Sequence, residues 1–244
     1  MIARVGTSGW QYDHWRGTFY AEDAPASGWL ATYADRFDTV EINSTFYRLP
    51  AASAVDRWRE GTPGGFLFAV KMSRYFTHVR RLRDAAEPVA HFLERVQHLR
   101  TQLGPVLVQL PPTMHIDLDR LVAALRCFPG SQRVAVEFRH ESWFEASVRD
   151  ALAELGAAFV LSDRDGTPHG PLWRTASWTY LRMHGGAADG GNYTDADLRE
   201  WTQRLRELGA GEAYVYFNND AHGHAPRNAG SMRRLLTSLE PAHS

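Results

Sequence analysis

Apolar, β-branched segments recur eight times along the chain, and most are followed by a loop and then by residues with helical spacing. These segments predict strands at 3–7, 38–43, 66–71, 105–110, 133–138, 157–162, 177–183 and 213–217. The intervening patterns predict helices near 28–36, 53–60, 87–102, 117–127, 143–155, 195–208 and 226–239. The sixth connection, around 165–176, shows only a weak helical pattern.

Regular alternation of strands and helices is compatible with two α/β architectures, a closed eightfold barrel or an open doubly wound sheet. Eight strands in 244 residues favour the barrel, whose usual length is about 250 residues. The first predicted strand leads into Gly9-Trp10, where a dinucleotide site would need open, glycine-rich backbone. We therefore predict a TIM-type (β/α)8 barrel of parallel strands. It forms a single domain over residues 1–244, with a short tail after about residue 240.

Side chains of a strand alternate between its two faces, so each predicted strand has one row under the helices and one row inside the barrel. The rows expected under the helices are apolar and comprise Val40, Ile42, Phe68, Val70, Val106, Val108, Leu110, Val134, Val136, Phe138, Leu181 and Met183. The inward rows become polar towards the C-terminal ends of the strands and comprise Glu41, Asn43, Lys71, Gln109, Glu137, Arg139, Asp163, Arg182, His184, Tyr216 and Asn218.

Six of the eight strands thus bring an ionisable side chain to the end of the barrel where TIM-type enzymes place their chemistry. This pattern predicts a functional site at the barrel mouth. The alternative is a closed polar core, because buried charges are costly unless they are paired. In that case three acids neutralise three bases: the acids are Glu41, Glu137 and Asp163, and the bases are Lys71, Arg139 and Arg182.

Composition limits the partners that the chain is expected to have. The 27 Lys plus Arg and 28 Asp plus Glu give a net charge of −1, so an anionic partner must be met by a local patch. A single cysteine, Cys127, excludes intramolecular disulfides and indicates a reducing compartment; we expect the cytoplasm and an inert, packed thiol. We expect no signal peptide and no membrane association, because no apolar run reaches the roughly 18 residues of a membrane span.

Lys71 is the only lysine beside 26 arginines, and it lies inside a predicted strand rather than on a helix surface. The pKa of a lysine falls on burial, which suits it to proton transfer, to a carbonyl adduct or to close phosphate contact. The alternative is a buried salt bridge with Glu41 or Glu137.

The loop after the Lys71 strand, residues 73–83, combines four arginines, including Arg74, with His78 and aromatic residues, and it contains no acid. Such a loop could bind phosphates or stack on bases. A solvated basic loop is the alternative.

Two weaker signals lie in other loops. The aromatic first loop, with Trp10 and Tyr12, is either a platform for a ring or a lid packed on the barrel rim. Histidines near the strand ends make a divalent metal possible as a cofactor, although their spacing is not a recognised ligand motif. These histidines are His140, His184, His222 and His224.

Eight segments in order along nearly the whole chain resemble the domain-of-unknown-function 72 family, also called YecE-like. They are Gly6-Thr7-Ser8-Gly9-Trp10, Glu41-Ile42-Asn43-Ser44-Thr45-Phe46-Tyr47, Phe68-Ala69-Val70-Lys71, Thr77-His78, Gln109-Leu110-Pro111-Pro112, Ala135-Val136-Glu137-Phe138-Arg139-His140, Arg182-Met183-His184-Gly185 and Tyr216-Phe217-Asn218-Asn219-Asp220. The resemblance implies a TIM-type barrel and no settled activity.

The first hypothesis for function is an enzyme that binds a small anionic or phosphorylated substrate at the barrel mouth, with phosphoester hydrolysis as the reaction. In it Lys71, Arg139 and Arg182 hold the anion, and Glu137 and Glu41 act as general base and acid. A non-catalytic nucleic-acid-binding protein and a lysine-dependent sugar aldolase or isomerase are the alternatives. The predicted catalytic residues are Glu41, Lys71, Glu137 and His184. The predicted substrate contacts are Trp10, Tyr12, Asn43, Arg74, His78, Gln109, Arg139, His140, Asp163, Arg182, Tyr216, Asn218, Asn219 and Asp220.

Overall fold

The structure is a computed structural model that describes residues 1–237. Eight parallel strands form the wall of a barrel, which confirms the predicted TIM-type (β/α)8 architecture. They are β1 Ile2–Thr7, β2 Thr39–Ile42, β3 Leu67–Lys71, β4 Leu103–Gln109, β5 Val134–Glu137, β6 Ala158–Arg164, β8 Trp178–Met183 and β9 Glu212–Phe217. The two-residue strand β7, Thr167–Pro168, pairs with β6 in the antiparallel direction.

Around the barrel the strands follow the order β1-β9-β8-β6-β5-β4-β3-β2. The seam between β1 and β2 closes through a parallel bridge from Ser8 to Glu41, and the Gly9 amide donates to the Glu41 carbonyl at 2.8 Å. A side chain at Gly6 would come within 2.2 Å of the Thr39 carbonyl oxygen. Glycine at this position is therefore what lets the two strands approach each other.

Helices cover the outside of the barrel: α1 Trp29–Ala34, α2 Ser44–Tyr47, α3 Ala52–Glu60, α4 Ala86–Val96, α5 Leu118–Leu125, α6 Ala146–Glu154, α7 Asp195–Glu207 and α8 His224–Thr237. Seven of them confirm predicted helices, and the predicted helix near 87–102 ends in a 3-10 segment, Gln97–Gln102. Helix α2 was not predicted, because four residues are too few to show a helical period. The weakly helical connection at 165–176 contains β7 and no helix. The predicted tail after about residue 240 lies outside the described residues.

Two apolar clusters confirm the predicted division of strand faces. All twelve residues expected under the helices are buried in the larger cluster, between the strands and the helices. The smaller cluster fills the barrel and comprises Ala69, Leu107, Ala135, Ala158, Val160, Trp178, Tyr180, Tyr214 and Tyr216. Small alanines on some strands make room for tyrosines from others, so the lower barrel is a packed core. No helix within residues 1–237 is both long enough and apolar enough to cross a membrane.

Candidate active site

The floor of the barrel mouth is a buried ion-pair triad contributed by three strands. Arg182 of β8 donates through Nη2 to Glu41 Oε1 at 2.8 Å and through Nε to Glu41 Oε2 at 3.0 Å. Its Nη1 donates to Glu137 Oε2 of β5 at 2.7 Å. Each of the three residues is at most 1% exposed. All three guanidinium nitrogens are therefore bound to carboxylates, and the expectation that Arg182 contacts an anion directly is wrong.

Glu41 accepts further hydrogen bonds from Ser8 Oγ at 2.7 Å, from Tyr180 Oη at 2.7 Å and from Asn43 Nδ2 at 3.1 Å. Burial alone would raise the pKa of Glu41, but the charge and hydrogen bonds of Arg182 outweigh it and hold the pKa below its ordinary value. Glu41 thus remains ionised at neutral pH. It does not fit the predicted role of general acid, because it carries no proton to donate.

Glu137 accepts from Gln109 Nε2 at 2.7 Å and from Arg139 Nε at 3.2 Å, in addition to Arg182. Burial opposes ionisation, but the charge of Arg182 and the contact with His184 hold the pKa of Glu137 well below its ordinary value. A carboxylate of such low basicity is a poor general base, the role predicted for Glu137.

Lys71 lies apart from the triad. Its Nζ is 4.2 Å from the centre of the Phe46 ring, and within residues 1–237 no carboxylate oxygen lies within 4.0 Å of it. The alternative of a salt bridge between Lys71 and Glu41 or Glu137 is therefore wrong. Burial, followed by the charge of Arg182, lowers the pKa of Lys71 to about 8. About a tenth of this lysine is the neutral amine at pH 7.

Helix α2 holds Phe46 over Lys71. The Thr45 hydroxyl donates to the Lys71 carbonyl at 2.7 Å and to the Ile42 carbonyl at 3.0 Å, which fastens α2 to β3 and to the end of β2. The Phe46 ring can then contact the ammonium group with its face, an arrangement that partly compensates for lost hydration.

His78 packs edge-on against the same ring, with centroids 4.9 Å apart and planes 82° apart. It belongs to a π-helical turn, Tyr75–Val79, a type of distortion that is frequent at functional sites. The Thr77 hydroxyl donates to the Ser73 carbonyl at 3.0 Å, so His78 Nδ1 must donate to the Thr77 oxygen at 2.9 Å. Burial and the charge of Lys71 lower the pKa of His78 to about 4. His78 is thus neutral, with an unprotonated Nε2.

His184, Asn218 and Arg139 lie beside Glu137. His184 Nε2 is 3.3 Å from Glu137 Oε1, and its Nδ1 is 3.2 Å from Asn218 Nδ2. Because the amide nitrogen is a donor, His184 Nδ1 accepts, and the buried Nε2 has no hydrogen-bond partner within residues 1–237. Arg139 contacts Glu137 through Nε and is 30% exposed, so its two terminal nitrogens remain available to a ligand. Arg74 is exposed at the start of the π-helical turn.

The prediction that Asp163 points into the barrel is wrong. On β6, Ala158 and Val160 point into the barrel. Phe159 and Leu161 point outward, into the larger cluster, and Asp163 follows them at the same alternate spacing. The Asp163 carboxylate accepts hydrogen bonds on the outer side of the barrel, from Tyr193 Oη at 2.5 Å and from Trp201 Nε1 at 2.7 Å. By parity, Ser162 takes the inward position.

Tyr216 also lies outside the mouth. Its hydroxyl is 2.7 Å from Thr39 Oγ1 near the start of β2, and the whole side chain is buried in the packed barrel core. The expected substrate contact of Tyr216 is therefore wrong.

The aromatic first loop is a lid packed on the rim, one of the two predicted alternatives. Trp10 is 4% exposed and packs edge-on against Trp58. Tyr12 donates its hydroxyl to the Ser8 carbonyl at 2.6 Å. Asp220 fastens the loop to the end of β9, because it accepts from Trp15 Nε1 at 2.6 Å and lies 2.8 Å from His14 Nε2. These structural contacts occupy the groups predicted to bind substrate on Trp10, Tyr12 and Asp220.

Two further predicted contacts are also engaged in the fold. Asn219 is buried and donates to Asn228 Oδ1 at 2.8 Å and to the Gly191 carbonyl at 3.0 Å. His140 Nδ1 accepts from the Ser142 amide at 3.1 Å and so caps the 3-10 turn Glu141–Trp143. These contacts give Asn219 and His140 structural roles.

Within the described chain, no three His, Cys, Asp or Glu side chains converge in a way that could hold a metal ion. The four candidate histidines are dispersed: the His140 ring packs against that of His115, His184 contacts Glu137, and the His222 ring packs against that of His224. In the basic loop, Arg80 pairs with Asp84 and Arg81 donates to Thr113 Oγ1 at 3.2 Å.

The sequence reasoning missed four residues of the site. Ser8 and Tyr180 hold Glu41, Phe46 covers Lys71, and Ser162 replaces Asp163 in the inward row. Tyr180 shares the parity of Arg182 on β8, so strand alternation could have found it. Ser8 lies in a loop and Phe46 in the four-residue helix α2, and neither segment is long enough for a period to indicate direction.

Comparisons with known proteins identify the family. Residues 4–243 match the model of the family described as "Protein of unknown function DUF72", and the chain belongs to that family, as the resemblance implied. A DUF72 family protein from Thermotoga maritima MSB8 has 28% identity and a TM-score of 0.87, covering 97% of this chain and 100% of that one. D-psicose 3-epimerase from Clostridium cellulolyticum H10 shares the fold alone, with a TM-score of 0.58 and 12% identity over 98% of this chain and 99% of that one.

Two curated relatives carry family names without an activity. UPF0759 protein YecE of Escherichia coli (strain K12) is 34% identical over 140 residues, which cover 55% of this chain and 52% of YecE. The match therefore spans about half the length of that relative. UPF0759 protein YunF of Bacillus subtilis (strain 168) is 27% identical over an alignment of 267 residues, covering 95% of this chain and 94% of YunF.

Proposed function

We propose that this protein is an enzyme that binds a small anionic carbonyl compound at the barrel mouth and forms an imine with it through Lys71. One observation carries the proposal. The single lysine of the chain lies at the mouth with no carboxylate within 4.0 Å among the residues described, and burial lowers its pKa to about 8. A lysine in such a setting is a nucleophile near neutral pH.

The chemistry is addition followed by dehydration. The neutral Lys71 amine attacks the carbonyl carbon, a C–N bond forms, and the carbonyl oxygen leaves as water after taking up two protons. Both protons can come from the amine and the medium, so no oxidant or reductant is required. The charges of Glu41 and Glu137 favour positive charge at Lys71 Nζ, and the same charges stabilise a protonated imine at this position.

The anionic part of the substrate has cations available around Lys71. Arg139 has two free terminal nitrogens, and Arg74 is exposed on the adjoining turn. Arg182 contributes less, since two carboxylates neutralise it. Guanidinium groups bind phosphate and carboxylate through paired donors, so a phosphorylated or carboxylated substrate fits this mouth.

Phosphoester hydrolysis is the weaker proposal for the same site. It needs a base that activates water, and the pKa values of Glu41 and Glu137 are both lowered by Arg182 against the effect of burial. Nucleic-acid binding through residues 73–83 also has less support, because Arg80 and Arg81 have partners within the fold.

Reductive trapping tests the proposal directly. The full chain is incubated with dihydroxyacetone phosphate, glyceraldehyde or pyruvate, each with borohydride, and the adduct is located by peptide mass. Because Lys71 is the only lysine, we expect an adduct on the Lys71 peptide with the anionic carbonyl compounds and none there in Lys71→Arg. The N-terminal amine is the internal control for general amine reactivity.

Two results would overturn this assignment. One is trapping at the N-terminus without trapping at Lys71 for every compound. The other is release of phosphate from p-nitrophenyl phosphate that is lost in both Lys71→Arg and Glu137→Gln, which would favour hydrolysis instead.

A further inference from the structure

A cavity lies on the outside of the barrel, between the end of α1, the first loop and α8. Its volume is about 480 Å³, which falls within the usual range of roughly 300–1,000 Å³ for small-molecule sites. Twelve residues line it, among them four arginines and two histidines, and none is Asp or Glu. The whole chain has nearly equal numbers of acidic and basic residues, 28 and 27. The lining of this cavity therefore concentrates positive charge relative to the rest of the protein.

The arginines of this cavity are held by aromatic faces rather than by carboxylates. The Arg36 guanidinium lies 4.5 Å from the centre of the Phe19 ring, and that of Arg233 lies 5.6 Å from the centre of the Phe37 ring. The two rings stack on each other, with centroids 6.0 Å apart and planes 14° apart. Arg233 also donates to the Arg36 carbonyl. These contacts fix the guanidinium planes without neutralising them.

No ion pair neutralises the four lining arginines within residues 1–237, although the lining His14 lies 2.8 Å from Asp220. Neither Arg36 nor any of the three arginines of α8 that line the cavity, Arg227, Arg233 and Arg234, has a carboxylate within 4.0 Å. Arg234 donates to Ser231 Oγ at 3.0 Å, and Arg227 contacts His224 Nδ1 at 2.7 Å. Most of their N–H donors therefore remain available to an anion.

Gly230 lies between these arginines, inside α8. Glycine in a helix interior costs about 1 kcal/mol relative to alanine. Packing does not require it here, because an added Cβ would meet only Arg234 Nη1, at an ordinary 3.8 Å. The absence of a side chain instead keeps the floor of the cavity open between the charged groups, as a close approach by a ligand would need.

We propose that this cavity binds a nucleoside phosphate, with the phosphates against the α8 arginines and the base against the exposed guanidinium face of Arg36, which the buried Phe19 ring supports from behind. Guanidinium groups match phosphate oxygens, and a flat guanidinium face held on an aromatic ring suits a planar base. The site lies outside the barrel and shares no residue with the mouth, so the proposal is independent of imine formation at Lys71.

Calorimetric titration of the full chain with ADP tests the proposal, with pyrophosphate and a single-stranded oligothymidylate as further probes. We expect ADP to bind more tightly than pyrophosphate. The double variant Arg233→Ala/Arg234→Ala should bind ADP at least tenfold more weakly. Gly230→Leu, which fills the floor, should weaken ADP binding without lowering the melting temperature.

The matched control is Arg149→Ala/Arg199→Ala, which removes two exposed helix arginines and so changes the net charge equally. This control and Lys71→Arg should leave ADP affinity unchanged. Equal weakening in the control would show nonspecific attraction and overturn the proposal. Binding of the oligonucleotide but not of ADP, lost in Arg233→Ala/Arg234→Ala, would assign the site to nucleic acid instead and would also overturn it.

Discussion

Replacing Arg182 by methionine should destabilise the protein in a pH-dependent way. The change removes the cation that binds Glu41 through two hydrogen bonds and Glu137 through a third, and it leaves two carboxylates that are at most 1% exposed. Methionine has a similar length and needs no hydrogen bond, so the main effect is the loss of charge compensation. Ser8, Tyr180 and Gln109 still donate to the carboxylates, but they are neutral.

Breaking a buried ion pair by removing one partner costs about 3–5 kcal/mol. For a chain of this length, that corresponds to a fall in melting temperature of roughly 6–20 °C. In the native protein Arg182 lowers the pKa values of both acids against the effect of burial. The two ionised acids therefore add to the free energy of unfolding above their ordinary pKa, and this stabilisation is lost as pH falls through their lowered pKa values. In Arg182→Met no cation compensates the burial of Glu41, and Glu137 keeps only the partly exposed Arg139 at 3.2 Å. Burial therefore raises both pKa values relative to the native protein, so the variant loses stability as pH rises.

Urea denaturation followed by circular dichroism at pH 5 and pH 8 measures the effect. We expect the deficit of Arg182→Met to be larger at pH 8 than at pH 5. The triple variant Glu41→Gln/Glu137→Gln/Arg182→Met should recover part of it, because no buried charge remains. Arg199→Met, which alters an exposed pair at 3.9 Å, is the control and should change stability by less than about 1 kcal/mol. A deficit below about 1 kcal/mol, or one that is equal at both pH values, would refute the reasoning.

Three further predictions concern single side chains. The rate at which an amine reagent labels Lys71 should rise with pH around a midpoint of about 8. Peptide mass measures this rate, with the N-terminal amine as the reference. A midpoint above pH 10 would contradict the effect of burial. Arg139→Gln should raise that midpoint, because Arg139 is one of the cations that lower the pKa of Lys71; an unchanged or lower midpoint would contradict this. Asp163→Asn should lower the free energy of unfolding by about 1–3 kcal/mol, because an amide nitrogen replaces one of the two oxygens that accept from Tyr193 and Trp201. It should leave Lys71 labelling unchanged. If Asp163→Asn were as stable as the native protein but changed the labelling of Lys71, the result would contradict this structural role and indicate that Asp163 belongs to the site.

The barrel was predictable because its signal is periodic and repeated. Eight β-branched segments indicate eight strands. Their alternation also shows which side chains face the helices, as Val106 and Val108 do. The same alternation placed Glu41, Glu137 and Arg182 together from distant parts of the sequence. The prediction for Asp163 failed because it assigned the end of β6 to a register that differs by one residue from the observed one. A shift of one residue moves a side chain to the other face of the strand.

The pairing within the mouth could not be predicted from the sequence. Parity shows that a side chain points inward, but the choice between Lys71 and Arg182 as partner of Glu41 depends on distances across the barrel. The short helix α2, which brings Phe46 over Lys71, has no periodic signal. The loop residues Trp10, Tyr12 and Asp220 were expected at the site because their chemistry suits binding, whereas the fold uses that chemistry to fasten the lid.

The triad and the lysine are best understood together. Arg182 occupies both carboxylates, so neither is within ion-pair distance of Lys71, and its own positive charge is the second cause, after burial, of the low pKa of Lys71. Glu41 and Glu137 act in the opposite direction and favour a charged lysine. Without the charge of Arg182, the pKa of Lys71 would therefore lie closer to its ordinary value. The buried arginine thus does more than neutralise the floor of the mouth, because it is also the group that leaves the amine above it free to react.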